Sequence, residues 1–433
     1  MRYYSTRSKN ETANFTKAAL TGLAPDGGLF VPEEIPQYPT PVISSLGTMG
    51  FLDIAFETIK PFVKGEITDN ALIDIITSAF TFDAPLVPVA DRYVIELFHG
   101  PTAAFKDFGA RFMARAFSYL RRGEDLPLHI LVATSGDTGG AVADGFFDVP
   151  GIFVTVLYPK GRVTPLQERQ IAGLGNNIKA LAVEGSFDDC QMLVKAALAD
   201  ESLQKRKALS SANSINISRL IPQAVYYSAT AGKAALEYRS LPVTLCVPSG
   251  NFGNLTAGLY AMKMGAPVRQ FIAATNINKT VPDYLDSGNY AARISQTTIS
   301  NAMDVGAPSN FERMSAHFSL EDMRKIILGV SVTDDETTGT IVRIHNNTGY
   351  FLDPHSAVGW KGVDKLKADN KIGEGAVGIL CTAHPAKFSE VVEPLIGSVP
   401  LPASLTNAME RTVSAKTIPA DISAFIGILH EAH

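Results

Sequence analysis

Residues 128–141 read Leu-His-Ile-Leu-Val-Ala-Thr-Ser-Gly-Asp-Thr-Gly-Gly-Ala. The apolar run Leu128 to Val132 suits a buried strand, Thr134 to Gly140 suits a small polar loop, and a helical pattern begins near Ala141. Strand, polar loop and helix N-terminus in that order form the unit of a parallel α/β layer. Comparable runs recur at Ile152 to Tyr158, Ile178 to Val183, Val243 to Val247, Val268 to Ala273 and Val377 to Cys381, with helical periods between them. Strands that are apolar almost throughout are covered on both faces, so the chain from about Tyr93 onward reads as parallel α/β.

Upstream the pattern differs. Residues 22–36, GLAPDGGLFVPEEIP, read as turns around a short strand, and amphipathic helical windows follow at Phe51 to Val63 and Thr68 to Phe80. Pro85 and Pro88 mark a linker, so residues 1–95 are expected to form a separate N-terminal module. Further on, Ser186 with Asp189 and Thr333 with Glu336 have the spacing of helix-capping boxes, and Pro354 after Asp353 suits a first helical position. No repeat of solenoid period and no low-complexity tract interrupts the chain.

Composition narrows the class. The chain has 433 residues, 46% apolar and 19% charged, with a net charge of -5. That is enough apolar material for two or three domains and too little charge for a disordered chain. No Lys/Arg run stands out, which argues against nucleic-acid binding. The cysteines, Cys190, Cys246 and Cys381, form no C-x-x-C pair, so neither a disulfide framework nor a cysteine zinc site is expected. His317, His345, His355 and His430 lack a metal-binding spacing and receive no role. Met1 to Asn10 has no apolar core of a secretory signal, and no window approaches the ~18 apolar residues of a membrane helix. The expectation is a cytoplasmic protein in a reducing compartment.

The chemistry gathers where strands stop. Thr134, Ser135 and Thr138 offer hydroxyls beside free N–H groups at a helix N-terminus, an arrangement that suits an anion; an ordinary capped turn fits the same pattern. Residues 248–254, Pro-Ser-Gly-Asn-Phe-Gly-Asn, follow a second strand, and their glycines let backbone N–H groups wrap a phosphate, although a plain glycine turn reads the same way. The loop is neither a Walker loop nor a G-x-G-x-x-G fingerprint, and Gly173-Leu-Gly175 fails the latter at its third glycine. In residues 99–113, HGPTAAFKDFGARFM, Lys106 sits among Phe105, Phe108 and Phe112. Desolvation there would lower its pKa and give a usable amine nucleophile. In residues 213–219, NSINISR, an Arg beside Asn and Ser can clamp a phosphate or carboxylate, or simply begin a helix.

Taken together these segments resemble the threonine synthase family, pyridoxal 5'-phosphate (PLP) enzymes of fold type II, the tryptophan-synthase-β type. HGPTAAFKDFG resembles the family's PLP-lysine segment, ATSGDTGGA its substrate-carboxylate loop, PSGNFGN its cofactor-phosphate loop and NSINISR its substrate-phosphate segment. CTAHPAKF, residues 381–388, resembles the segment that meets the pyridine ring, and GLAPDGGLFVP the N-terminal segment. The motifs stand in family order over nearly the whole chain.

The resemblance implies an α/β fold with two parallel-sheet domains, PLP in the cleft between them, and an N-terminal α+β module. With the boundaries above, a large PLP-binding domain would comprise 96–126 and 214–433, and a small domain 127–213. Lys106 would bind PLP covalently and later shuttle protons. Gly250, Asn251, Phe252, Gly253 and Asn254 would cradle the PLP phosphate, Thr382 would hydrogen-bond the ring nitrogen, and Asp137 would lie near the 3′-oxygen. Thr134, Ser135, Gly136 and Thr138 would take the substrate carboxylate, and Asn213, Ser214 and Arg219 its phosphate, with Lys160 and Arg162 as weaker candidates. The implied reaction converts O-phospho-L-homoserine and water to L-threonine and phosphate, in a monomer or homodimer, with one domain closing over the other. The rivals are a serine/threonine dehydratase or another fold type II β-eliminating enzyme, and a catalytically silent metabolite-binding homologue.

Overall fold

The computed structural model describes residues 1–237 and 242–431. Its first sheet is small and antiparallel, with strand Tyr3–Ser5 between Thr12–Ala13 and Phe30–Pro32. Helices Phe51–Val63 and Asp69–Ala79 pack beside it, and Thr68 caps the second by accepting the Ala71 N–H.

Two larger sheets follow. The first has the order Ile327–Ser331, Val268–Thr275, Val243–Pro248, Val377–Cys381, Arg92–Glu96, Leu86–Val89; every pairing is parallel except the last. The second has the order Ala415–Pro419, Ile178–Glu184, Ile152–Pro159, Leu128–Ala133, Ala208–Ser211, and is parallel throughout. Their central strands are buried along their whole length, as Leu128–Ala133 and Val243–Pro248 show. Helices cover both faces. Trp360 and Val363, on helix Pro354–Ala368, join Cys246, Ile272 and Ile379 on one face of the large sheet. Phe425 and Leu429 join Leu131, Leu157 and Leu193 on one face of the small one. A third cluster unites the N-terminal module with the remaining faces of both sheets through the buried helices Lys106–Leu120 and Ala224–Glu237.

The sheet pairings differ from the sequence-based boundaries in two places. The Pro85–Pro88 stretch, expected to be a linker inside 1–95, holds an edge strand of the large sheet, where Pro88 lacks only an outward-facing donor. Strand Ala415–Pro419, expected within 214–433 of the large domain, is an edge of the small sheet instead. From Ala403–Met409 onward the chain packs on helix Pro165–Ala172, where Arg169 donates to the Met409 and Arg411 carbonyls at 2.8 Å each. We therefore propose an N-terminal module ending near residue 85, a large unit from there to 126 and from 214 to about 400, and a small unit of 127–213 joined by the segment from 403. Both expected capping boxes, Ser186/Asp189 and Thr333/Glu336, form.

Candidate active site

Lys106 is the first residue of helix Lys106–Leu120. The loop before it is paired with the segment that follows strand Val377–Cys381. Phe105 N–H donates to the Thr382 carbonyl at 2.9 Å, and His384 N–H donates to the Ala103 carbonyl at 3.0 Å. Within this loop Ala103 is fully buried with φ of 53°, a conformation costly for a side chain with Cβ and held here by its neighbours. The Lys106 side chain is 16% exposed, its Nζ 3.5 Å from Asp137 Oδ2 and 5.1 Å from the Phe105 ring centre. Burial lowers the amine's pKa; Asp137 pulls it upward, Lys387 and Arg219 push it down, and the net shift is downward. Of the three expected phenylalanines, only Phe105 has this ring contact. Phe108 and Phe112 turn into the core, Phe108 edge-on to Phe82 at 4.9 Å.

Asp137 comes from the other sheet, as the first residue of helix Asp137–Phe146. Thr134 shapes the turn before it, its Oγ1 accepting the N–H groups of Gly136 at 3.0 Å and Gly139 at 2.8 Å. Gly136 has φ of 138°, and a Cβ there would lie 2.4 Å from the Gln167 side chain. Ser135 is exposed and Thr138 half-buried, on either side of Asp137 in the chain. The Asp137 carboxylate is buried and receives Lys387 Nζ at 2.9 Å and Gln167 Nε2 at 3.1 Å, both on Oδ1. Burial opposes its charge, but the Lys387 and Lys106 ammonium groups outweigh that and hold the carboxyl well below the usual range. Lys387 and Gln167 were not among the expected residues. The available signal was a lysine enclosed by Pro385, Ala386 and Phe388; its partner lies on the other sheet and has no mark in the sequence.

The loop after strand Val243–Pro248 is shaped by its neighbours. Phe252 has φ of 60° at the head of helix Gly253–Met264. A Cβ on Gly250 would meet the Ala302 carbonyl at 2.7 Å and Met303 Cα at 2.8 Å. Asn251 spans the loop, donating to Ser214 Oγ at 2.5 Å and accepting the Ser309 N–H at 2.6 Å. Asn254 Oδ1 accepts the hydroxyls of Tyr226 at 2.6 Å and Tyr227 at 2.7 Å, while its buried Nδ2 has no partner. Thr382, 7% exposed, follows the neighbouring strand Val377–Cys381.

The expected substrate-phosphate residues divide. Asn213 bonds both backbone groups of Ala133, donating to the carbonyl at 2.7 Å and accepting the N–H at 3.4 Å, so its side chain acts as a tie between strand ends. Arg219 is 2% exposed; among the described residues its side chain makes one hydrogen bond, to the Ala212 carbonyl at 2.8 Å, and leaves its buried Nε without a partner. Burial brings its pKa down to about 10. Lys160 pairs with Glu184 at 3.2 Å on the surface and Arg162 is exposed, which keeps both in solvent.

The site therefore joins five loops at the C-terminal ends of strands from two sheets, the place where α/β sheets bind ligands. It holds a buried, pKa-lowered amine, two orphaned buried donors (Arg219 Nε and Asn254 Nδ2), and a glycine turn without room for a Cβ. Orphaned donors are costly unless an acceptor arrives, and a phosphate-bearing aldehyde such as PLP supplies oxygens for the donors and a carbonyl for the amine. The residues present fit PLP. Among the described residues no cluster of His, Cys, Asp and Glu could hold a metal ion, and no helix is long and apolar enough to cross a membrane.

Comparison with known proteins agrees with this geometry. Residues 2–80 match the family described as "Threonine synthase N terminus", residues 93–383 "Pyridoxal-phosphate dependent enzyme" and residues 356–427 "Threonine synthase, C-terminal". The threonine synthase of Escherichia coli (strain K12) is 41% identical over 427 residues, 98% of each chain. A crystal structure of threonine synthase from Escherichia coli superposes with a TM-score of 0.91 at 39% identity, covering 100% of both chains. The PLP-bound threonine synthase from Brucella melitensis does so with a TM-score of 0.91 at 37% identity, also over 100% of both. Threonine deaminase isoform 2 from Solanum lycopersicum, at 16% identity and a TM-score of 0.56, shares the fold alone. The matches at both ends, together with end-to-end identity to a curated relative, show that this chain belongs to the threonine synthase family of PLP-dependent lyases.

Proposed function

We propose that this enzyme converts O-phospho-L-homoserine and water to L-threonine and phosphate, with Lys106 as its proton carrier. One observation carries the reading: a largely buried amine with lowered pKa, placed where loops of the two sheets meet, with Arg219 and its orphaned Nε nearby. Bound PLP supplies the electron sink that makes protons at the substrate's Cα and Cβ removable. The rest falls to the chain. Lys106 Nζ takes and returns those protons, aided by burial that lowers its pKa from the ordinary lysine value. Backbone N–H groups of residues 250–254 and Asn254 Nδ2 hold the cofactor phosphate at the head of helix Gly253–Met264. The Thr382 hydroxyl would hydrogen-bond the ring nitrogen of bound PLP without charging it. Ser135, Thr138 and the N–H groups around Gly136 receive the substrate carboxylate at the head of helix Asp137–Phe146.

Arg219 Nε and Ser214 receive the leaving phosphate, while Asn213 keeps their loop against Ala133. Asp137 would lie near the 3′-oxygen of bound PLP. The free, buried thiols of Cys190, Cys246 and Cys381 suit a cytoplasmic enzyme.

Borohydride reduction of the PLP-loaded enzyme followed by peptide mapping is expected to place the adduct on Lys106. Phosphate release from O-phospho-L-homoserine is expected to exceed turnover of L-serine or L-threonine, and R219M to raise KM for the phosphorylated substrate by at least about tenfold through loss of a charge-assisted contact. An adduct on another lysine, or faster turnover of the unphosphorylated amino acids, would overturn the reading.

A further inference from the structure

We propose that Lys387 is a positioning residue for Lys106: its buried ammonium secures the Asp137 carboxylate across the joint between the two sheets and keeps that carboxylate from capturing the Lys106 amine. The inference rests on the reading of Lys106 as the proton carrier.

The geometry is asymmetric. Lys387 stands on the turn Pro385–Phe388, which extends a strand of the large sheet, and its side chain is fully buried. Its Nζ donates to Asp137 Oδ1 at 2.9 Å and to the Thr102 carbonyl at 2.8 Å. Lys106 stands 3.5 Å from the other oxygen of the same carboxylate, beyond the 2.7–2.9 Å of a full charge-assisted bond. A carboxylate whose sole cation was Lys106 would close that gap and hold the amine as an ammonium, which cannot accept a proton. Two further contacts brace the arrangement from the small sheet's side. Gln167 Nε2 donates to Asp137 Oδ1 and Gln170 Nε2 donates to the Thr102 carbonyl at 3.2 Å. Lys387 thus clamps both the carboxylate and the strained loop that delivers Lys106.

The charged groups that face Lys106 are Asp137, Lys387 and Arg219. Asp107, next along the helix, turns onto Thr102. Its surroundings include Asp144, which lies 3.7 Å from Arg111. Lys106 and Lys387 therefore share the Asp137 carboxylate, with Arg219 a further cation near Lys106, and removing Lys387 changes the balance twice over. Its own repulsion on the amine vanishes, and Asp137 becomes free to pair with Lys106. Both changes favour the ammonium form.

PLP capture by the cofactor-stripped, full-length enzyme requires the neutral amine, so its rate against pH reads the Lys106 titration apart from turnover. K387Q, which keeps a donor for Thr102 without the charge, is expected to move the capture midpoint upward by about one pH unit, making capture near neutrality about tenfold slower. The alkaline shift is expected again in the pH profile of kcat. Ethylammonium added to K387A is expected to restore part of the lost rate. D137N removes the captor itself and is expected to move the midpoint downward. Unmoved midpoints in K387Q and D137N would overturn the proposal, as would a downward shift in K387Q. If K387Q does not fold, D137N alone decides by the same criterion. Peptide mapping of the reduced adduct in each variant separates this test from the reading beneath it, because an adduct away from Lys106 would refute the carrier itself.

Discussion

His355 donates its Nδ1–H to Asp353 Oδ2 at 2.6 Å and accepts the Ala302 N–H on Nε2 at 3.2 Å. Asp353 also caps helix Pro354–Ala368, accepting the N–H groups of His355 and Ser356. The ring thus ties the head of that helix to the bend at Ala302, and it is this bend that lies against Gly250. His355 has no metal-binding spacing in the sequence, yet it backs the loop proposed to hold the cofactor phosphate at one remove.

Replacing it should therefore be felt in cofactor binding. His355→Ala removes the acceptor for a backbone N–H, a loss of about 1–3 kcal/mol when the donor stays unsatisfied. The expected outcome is a folded enzyme whose PLP affinity, measured by fluorescence titration, falls by roughly tenfold as the Ala302 bend loosens. An affinity equal to wild type would refute the link.

Gly250→Ala tests the same contact from the opposite side. The added methyl would face two backbone atoms, the Ala302 oxygen and Met303 Cα, neither of which can rotate away. The loop must move, and a misplacement of several tenths of an ångström in a row of N–H donors is expected to cost on the order of tenfold to a hundredfold in PLP affinity. Gly339→Ala provides the contrast. That glycine lies in helix Asp334–Thr348 with no atom within 4 Å of the new Cβ, so the substitution should raise stability by about 0.5–1 kcal/mol and leave PLP titration unchanged.

Asp107 carries a pH dependence of stability. Its carboxyl is fully buried, and takes the Thr102 N–H at 2.9 Å and the Thr102 hydroxyl at 2.5 Å. Burial, against those two bonds, pushes its pKa up to about 6. In the unfolded chain the group titrates near 3.9, so between about pH 4 and 6 the native state binds more protons than the unfolded one. Stability from this group is therefore present at low pH and is lost as pH rises through that window, by roughly 3 kcal/mol in total. Asp107→Asn keeps both partners of Thr102 and does not titrate. Its unfolding free energy, measured by urea melts from pH 4 to 7, should lack this decline and match or exceed wild type at pH 7. A wild-type slope in the variant would rule the assignment out.

Much of the fold was legible because parallel strands covered on both faces are apolar almost without interruption, as in Val243–Pro248 and Leu128–Ala133. Three of the strands that escaped notice are edges of the large sheets, while Arg92–Glu96, an inner strand, is short and bounded by charged residues. Ala208–Ser211 is Ala-Leu-Ser-Ser, Ala415–Pro419 buries only Ile418, and Ile327–Ser331 contains Gly329 against Pro282. Leu86–Val89 read as a linker because Pro85 and Pro88 look the same in a loop and at a sheet edge. Strand order was beyond reach, since pairing joins segments far apart in the chain.

In the site the division is similar. Lys106 and the glycine loops carry their chemistry within a few consecutive residues and could be picked out. Lys387 and Gln167 act through Asp137, an encounter that exists only after both sheets have formed. Asn213 had the right chemistry for a phosphate, but its side chain is consumed by the Ala133 backbone.

The small sheet has a consequence for how this chain is made. Strand Ile178–Glu184 acquires its outer neighbour, Ala415–Pro419, only after more than two hundred further residues have been synthesised. Until then strand Ile178–Glu184 presents an unpaired ladder edge, the kind of surface that invites pairing with other chains. The smaller half is sealed late, by the same C-terminal segment whose helix Ala403–Met409 packs on Pro165–Ala172.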